Sequence, residues 1–390
     1  MFSHRTDWPL GESPWALAAE KARRNHAVDL TESNPTRCGF QFIKTTLLDP
    51  LSLPANLVYE PDSCGLESAR EAVSAYYQSK NVSVPVSQIV LTAGTSEAYS
   101  FLLKLLVNPG ETVLVPEPGY PLLDHVAGLS DAKLVRYPLV YKEGWSIDRE
   151  KLKALMSPDV KAIVVVHPNN PTGHCANRSD RQWLEEAAAA NGTVLISDEV
   201  FLDFVFDDKA PAETFAWNRK ALTFTLSGIS KVLGLPQMKL SWMGVTGPEE
   251  EVKEAIARLT VITDAFLTVS GPPQRALPYW LSRRAEAVAE IGGRIRQNRR
   301  ALLKAFLGLP AEILKADGGW CSLIRFEGPK TDEAISLELV SKGVLVQPGY
   351  LFDLPEYHLV VSLLPPSPVF NQGLSMLAGY LGYPPLPAKQ

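Results

Sequence analysis

Leu222-Thr223-Phe224-Thr225-Leu226-Ser227-Gly228-Ile229-Ser230-Lys231 is the stretch that decides the fold. Its first half is apolar and β-branched and reads as a buried strand, and the small residues after it read as a turn. The turn presents one amine, Lys231, and a second cation, Lys239, follows eight residues later. That is how a lysine is displayed to a carbonyl compound carrying a phosphate. Taken alone, Ser-x-x-Ser-Lys is a weak signal, more often a solvated loop lysine.

Four other segments supply the remaining parts of such a site, in a fixed order. Ala93-Gly94-Thr95-Ser96-Glu97-Ala98 follows the apolar run Ile89-Val90-Leu91 and precedes an amphipathic stretch from Ala98 to Val107. The strand is expected to turn at Gly94 into a helix whose free N–H groups, with the hydroxyls of Thr95 and Ser96, form an anion cradle. By itself the same pattern fits an ordinary helix cap. Val115-Pro116-Glu117-Pro118-Gly119-Tyr120-Pro121 ends a second strand with an aromatic ring on which a flat heterocycle can stack. Val164-Val165-Val166-His167-Pro168-Asn169-Asn170 ends a third with an amide able to donate to a phenolate oxygen. Val194-Leu195-Ile196-Ser197-Asp198 ends a fourth with a carboxylate that is expensive to bury unpaired. A protonated pyridine nitrogen is such a partner, since opposite charges in contact shift a pKa by about 1–3 units.

From about Ile89 to Gly247 apolar β-rich runs alternate with helical patterns, which predicts a mostly parallel sheet with helices on both faces. Ligands of such sheets sit beyond the carboxyl ends of the strands, where each of these segments falls. After Pro272-Pro273 the character changes to a long charged helix over Arg283 to Leu307. A smaller lobe should follow, built from Ser322 to Phe326, a helix from Glu333 to Ser341, short strands near Val344 and Val360, and a last helix from about Asn371. The proline-rich tail, Gly382-Tyr383-Pro384-Pro385-Leu386-Pro387, is expected to fray.

Asn170-Pro171-Thr172-Gly173, Asp198-Glu199-Val200 and Ser230-Lys231 resemble the class I/II aminotransferase family of pyridoxal phosphate enzymes, the aspartate aminotransferase superfold. The likeness runs from Leu30-Thr31-Glu32-Ser33-Asn34-Pro35 to Gly343-Val344-Leu345-Val346-Gln347-Pro348-Gly349, nearly the whole chain. It implies an α/β fold: a large domain over residues 46–272 with a mostly parallel seven-stranded sheet flanked by helices, and a smaller α+β C-terminal domain over 273–390. Residues 1–45 would form an N-terminal arm and part of the small domain. The resemblance also implies that Lys231 forms the Schiff base and moves the substrate proton, Asp198 pairs with the pyridine nitrogen, Asn170 bonds the 3-hydroxyl and Tyr120 stacks on the ring. Gly94, Thr95, Ser96, Ser230 and Lys239 would hold the phosphate of pyridoxal 5'-phosphate. Tyr59 would reach the phosphate of a neighbouring subunit, which implies a homodimer with shared active sites.

Three departures from the family pattern bear on the substrate. The arginine that usually forks onto the substrate carboxylate stands two residues before a serine; here the run is His358-Leu359-Val360-Val361-Ser362, so Val360 replaces it. Arg37, after Ser33-Asn34-Pro35-Thr36, is the candidate substitute, with Asn34 beside it at the substrate mouth; a shifted alignment would bring in His358 instead. Phe201 stands where the family commonly has a tyrosine that donates to the cofactor. Lys239 replaces an arginine at the phosphate, and Gly228 replaces a serine, which removes one hydroxyl from the cradle.

The leading expectation is an aminotransferase moving an amino group between an amino acid and a 2-keto acid in two half-reactions. Trp15, Tyr120, Phe201 and Trp320 favour a neutral or apolar substrate. The alternative, prompted by Val360, is a pyridoxal phosphate-dependent lyase, decarboxylase or synthase on an unusual amino acid or amine. A non-catalytic binding protein on the same fold is a third reading, against which the retained Lys231 argues.

Bulk properties agree. A chain of 390 residues, 46% of them hydrophobic, exceeds the size at which single cores split into lobes. Its net charge of −5 and lack of basic runs argue against nucleic acid. Cys38, Cys64, Cys175 and Cys321 are too scattered for a zinc site and read as reduced thiols. The first residues lack a signal-peptide core and the apolar runs are strand-length, so a cytoplasmic protein that does not enter membranes is expected.

Overall fold

The computed structural model describes residues 1–207, 212–267 and 269–382. Its large sheet follows from five apolar runs whose side chains are buried on both faces, as strands covered by helices on either side must be. Edge to edge, the strands are Ile89–Thr92, Ser241–Thr246, Thr223–Gly228, Val194–Asp198, Val160–Val166, Thr112–Glu117, Lys133–Tyr141 and Trp145–Ile147. The first seven make the expected seven-stranded sheet. The eighth is a three-residue edge strand that folds back antiparallel on Lys133–Tyr141.

Strand direction explains the position of the motifs. Ser241–Thr246 is antiparallel to both its neighbours, so Ile89–Thr92 points the same way as Thr223–Gly228. The four strands from Val194–Asp198 to Lys133–Tyr141 share that direction. The carboxyl ends before Gly94, Tyr120, Asn170, Asp198 and Lys231 therefore lie on one side of the sheet, which is where a ligand crevice forms. The helices Thr95–Leu106 and Glu249–Ala265 pack on one face through Ala98, Leu102, Val252 and Leu259; the helix Arg178–Asn191, capped reciprocally by Asn177 and Asp180, covers the other with Leu184 and Ala188.

The C-terminal part builds a separate antiparallel sheet in the order Glu312–Ile313, Cys321–Arg325, His358–Ser362, Gln347–Pro348. Helices over Arg284–Ala305, Asp332–Ser341 and Ser367–Leu381 accompany it, each within a few residues of its expected position. The amino-terminal segment folds onto this lobe: Val28–Asp29 pairs in parallel with Val344–Leu345, and the Ser362 N–H donates to the Leu30 carbonyl at 2.7 Å. Gly373 lets the last helix press against Leu30, whose side chain lies 2.8 Å from where a Cβ would stand. The tail from Tyr383 onward lies outside the described residues.

Candidate active site

A cavity of about 500 Å³ opens where the large and small sheets meet. Its floor comes from the carboxyl ends of the large sheet and carries Gly94, Thr95, Ser96, Tyr120, Asn170, Asp198, Ser230, Lys231 and Lys239 together. Among the described residues, the Lys231 amine makes no ion pair and no hydrogen bond; the side chains of Asn170, Thr95, Ser96, Ser230 and Lys239 are equally unengaged. Polar groups on a cavity wall without internal partners are groups left for a ligand.

Burial sets the proton affinities on this floor. Desolvation lowers the Lys231 ammonium below the usual lysine range, the nearby Cys321 and Asp198 only partly opposing it. The Lys231 Nζ lies 5.1 Å from the Trp320 ring centre and 5.8 Å from that of Phe201, an aromatic setting that solvates it poorly. Asp198 is pushed up to about 6, again by burial, against the Val200 N–H and the Tyr99 hydroxyl, each donating to it at 3.2 Å. Its neighbour Glu199 is fully buried and raised to about 7, but three donors satisfy it: the Thr214 hydroxyl at 2.6 Å, the Phe215 N–H at 2.6 Å and the Ser197 hydroxyl at 3.1 Å. Glu199 is thus structural, whereas Asp198 faces the cavity without a cation in ion-pair contact among the described residues.

One end of the cavity is built from glycine and lysine. Lys239, held in the left-handed region at φ +49°, turns its ammonium back to the start of the helix Thr95–Leu106, 3.5 Å from where a Gly94 Cβ would be. Gly228 is required because a Cβ there would collide with the Ser241 hydroxyl. Ser241 is its direct cross-strand partner and lines the cavity, so a hydroxyl occupies the place that the sequence pattern left empty.

The opposite wall belongs to the small sheet. Cys321, Ser362 and Gln347 line the cavity, while Val360 is fully buried in an apolar cluster with Leu314, Leu323, Phe352 and Leu354. His358 does not enter the cavity: it pairs with Arg325, and its Nδ1 lies 2.9 Å from the Pro355 carbonyl oxygen. Arg136 reaches the rim but is held by Asp124 at 3.0 Å and Asp353 at 3.1 Å, which ties the large sheet to the small lobe.

A second cavity of about 550 Å³ forms the mouth, lined by Trp15, Arg23, Glu32, Asn34 and Arg37, and it shares Lys231 and Gln347 with the first. Arg37 is 74% exposed and loosely paired with Glu32 at 3.9 Å. Asn34 commits its carbonyl oxygen to its own turn, accepting from the Thr36 N–H and hydroxyl. Tyr59 is 73% exposed and lies apart from both cavities, against Ser270 and Arg275. Tyr99, Ser241 and Gln347 are among the cavity residues that reading the sequence missed. Tyr99 had a signal, four residues after Thr95 and so on the same helix face; the other two depend on strand register.

The family model for class I and II aminotransferases matches residues 41–364. The chain belongs to that family. It is 30% identical over 373 residues to the glutamate-pyruvate aminotransferase AlaA of Haemophilus influenzae, covering 92% of this chain and 91% of that protein. It is 27% identical to an alanine aminotransferase of Mycobacterium tuberculosis, covering 93% and 87%. Among solved structures, an alanine aminotransferase from Pyrococcus furiosus superposes with a TM-score of 0.86 at 22% identity, covering 95% of this chain and 99% of that one. An aminotransferase from Escherichia coli gives 0.84 at 26%, covering 97% and 100%. The chain is therefore an aminotransferase on the aspartate aminotransferase fold, of a family that uses pyridoxal phosphate. Relatives of that name do not favour the lyase, decarboxylase or synthase alternative. No helix among the described residues is long and apolar enough to cross a membrane.

Proposed function

We infer that this aminotransferase binds pyridoxal 5'-phosphate on the large-sheet floor and transfers the amino group of a neutral amino acid, alanine among the candidates, to a 2-keto acid. The observation that carries this reading is the Lys231 amine, desolvated and without an internal partner, in the same cavity as a buried Asp198 that lacks a cation. Bound there, pyridoxal phosphate supplies an electron sink for the pair released when a bond to the substrate Cα breaks. Lys231, neutral more readily than an exposed lysine, would hold the cofactor and serve as the base for the substrate Cα proton. Asp198, once ionised, keeps the pyridine nitrogen protonated, and Tyr99 and Val200 hold its oxygens in place. Asn170 would donate to the phenolate oxygen and Tyr120 would cover the ring, both lining the cavity. Thr95, Ser96, Ser230, Ser241 and Lys239 receive the phosphate at the Gly94 helix start.

The aromatic lining by Trp15, Phe201 and Trp320 supports a neutral substrate, as do the names of the relatives. Arg37 and Asn34 stand at the entrance. Tyr59, exposed and outside its own cavity, is assigned to the site of a second copy in a cytoplasmic homodimer. Borohydride reduction of the yellow protein followed by peptide mapping tests the reading: a covalent cofactor adduct on Lys231 is expected, and an adduct elsewhere or none contradicts it.

A further inference from the structure

The small-sheet wall raises the question of what holds the substrate carboxylate, because the family's arginine is Val360 and every other cation near the cavity is committed. Lys231 and Lys239 are assigned to the cofactor. Arg136 is shared between two carboxylates. Arg23 is bound to Asp29 and to the Thr31 hydroxyl. Arg37 lines only the mouth and is largely solvated.

The strand register offers one polar side chain in the right place. Gln347 stands directly opposite Val360 in the antiparallel pair, and Leu323 stands opposite Val360 on its other side, so the three share one face. Ser362 and Cys321, two residues further along the same strands and paired with each other, share that face too and line the cavity, which establishes that the face looks at Lys231. Directly opposed residues have Cβ atoms about 4.5–5.5 Å apart, less than the length of a glutamine side chain. Gln347 also lies at the junction of the two cavities beside Lys231, and its side-chain amide makes no hydrogen bond among the described residues.

We propose that Gln347 is a specificity-determining residue of this aminotransferase: its amide N–H donates to the substrate α-carboxylate in place of the missing arginine fork. The proposal rests on the transamination reading and deepens it. The sheet residues of this wall, Gln347, Ser362 and Cys321, carry no full charge, since Ser362 is a hydroxyl and burial pushes the Cys321 thiol up to about 12; Asp353 of the same lobe also lines the cavity but is bound to Arg136. Carboxylate recognition is therefore by a neutral donor, with two consequences. Affinity for the carboxylate depends weakly on ionic strength, because no full charge on the wall is screened. Discrimination between an amino acid and an amine that lacks the carboxylate is lower than a bidentate arginine gives. The substitution repeats what Ser241 does for Gly228, where the direct cross-strand neighbour also fills the gap.

The test uses the pyridoxal phosphate-loaded protein and follows its visible band during titration with L-alanine and with L-alaninol, in which a hydroxymethyl group replaces the carboxylate. Gln347→Ala is expected to lower the preference for L-alanine over L-alaninol by about 10- to 100-fold, the range for a hydrogen bond to a charged group. The isosteric Gln347→Glu, which sets a negative charge against the carboxylate, is expected to lower it further. The intact visible band of each variant reports that cofactor and fold are in place. Variants with the wild-type preference would overturn the Gln347 assignment alone. A wild-type protein that forms the band but responds to neither compound would overturn the functional reading and the assignment with it.

Discussion

The two walls of the cavity differ in how they are built and in how closely they keep to the family pattern. On the large-sheet wall each functional group stands just past a strand's carboxyl end, in a short segment that carries its own turn chemistry: Gly94-Thr95, Asn170-Pro171, Asp198, Ser230-Lys231. On the small-sheet wall the groups facing Lys231 stand at the ends of antiparallel strands and are set by pairing, Cys321 opposite Ser362 and Gln347 opposite Val360. The first wall retains the chemistry of the family; the second has lost its charged residue. On the proposed reading, the difference teaches that cofactor handling and substrate recognition are separable, because different sheets would carry them.

The sharpest way to break that comparison is to remove the amine. Lys231→Ala is expected to abolish the Schiff-base absorption and to cut turnover by at least about 10⁴-fold, the upper range for losing a general base that is also the point of attachment. Retained turnover would detach the chemistry from the large-sheet wall. Asp198→Asn should cost about 10²-fold, since it removes a charge partner while preserving shape and a shift of one pKa unit is about 1.4 kcal/mol. Its pH behaviour has a defined sign. Burial holds the free-protein carboxyl up to about 6, so below that pH it is protonated and cannot attract a pyridinium. Cofactor affinity of the wild-type apoprotein should therefore fall as pH drops through about 6, beyond any fall shown by Asp198→Asn. The same raised value means that the apoprotein takes up a proton on folding, so Asp198 contributes a stability that is lost as pH rises from about 4 to about 6.

Smaller effects sharpen the contrast between register and motif. Ser241→Ala should weaken cofactor binding by about tenfold, the low end for one hydrogen bond to a charged group, measured by fluorescence titration of the apoprotein. No change would mean that the hydroxyl beside Gly228 merely fills space. Arg37→Ala is the mildest. Sequence position alone suggests a large rise in KM for carboxylate substrates, but a side chain 74% exposed is screened by water, and a change of no more than a few-fold is expected. A much larger rise would move carboxylate recognition from Gln347 to the mouth.

Legibility in the sequence follows the same division. The parallel sheet, the order of its motifs and the gathering of Gly94, Tyr120, Asn170, Asp198 and Lys231 in one cavity were readable because each lies within a few residues of a strand end and has a local signature. The eighth strand, Trp145–Ile147, was missed because three residues carry no periodicity. Gly228 read as a lost hydroxyl, and Val360 as a lost cation, because the polar residues opposite them, Ser241 and Gln347, sit 13 residues away in sequence in each case, and only strand pairing brings them together. His358, which a shifted alignment would bring toward the site, stands at the far end of its strand from Ser362 and lines neither cavity. Tyr59, placed at a neighbouring subunit's phosphate by the resemblance alone, is 73% exposed and lines neither cavity.

The central claim is that a complete transamination floor works beneath a substrate wall without charge. It is tested most directly by loading the protein with pyridoxal phosphate and adding L-alanine and then pyruvate, at low and at high salt, while recording the visible spectrum. The account predicts that the amino acid bleaches the band, that the keto acid restores it, and that the half-saturating alanine concentration changes little with salt. A band that forms but is never restored by any keto acid would contradict the transaminase reading, and a half-saturation that rises steeply with salt would contradict the neutral wall.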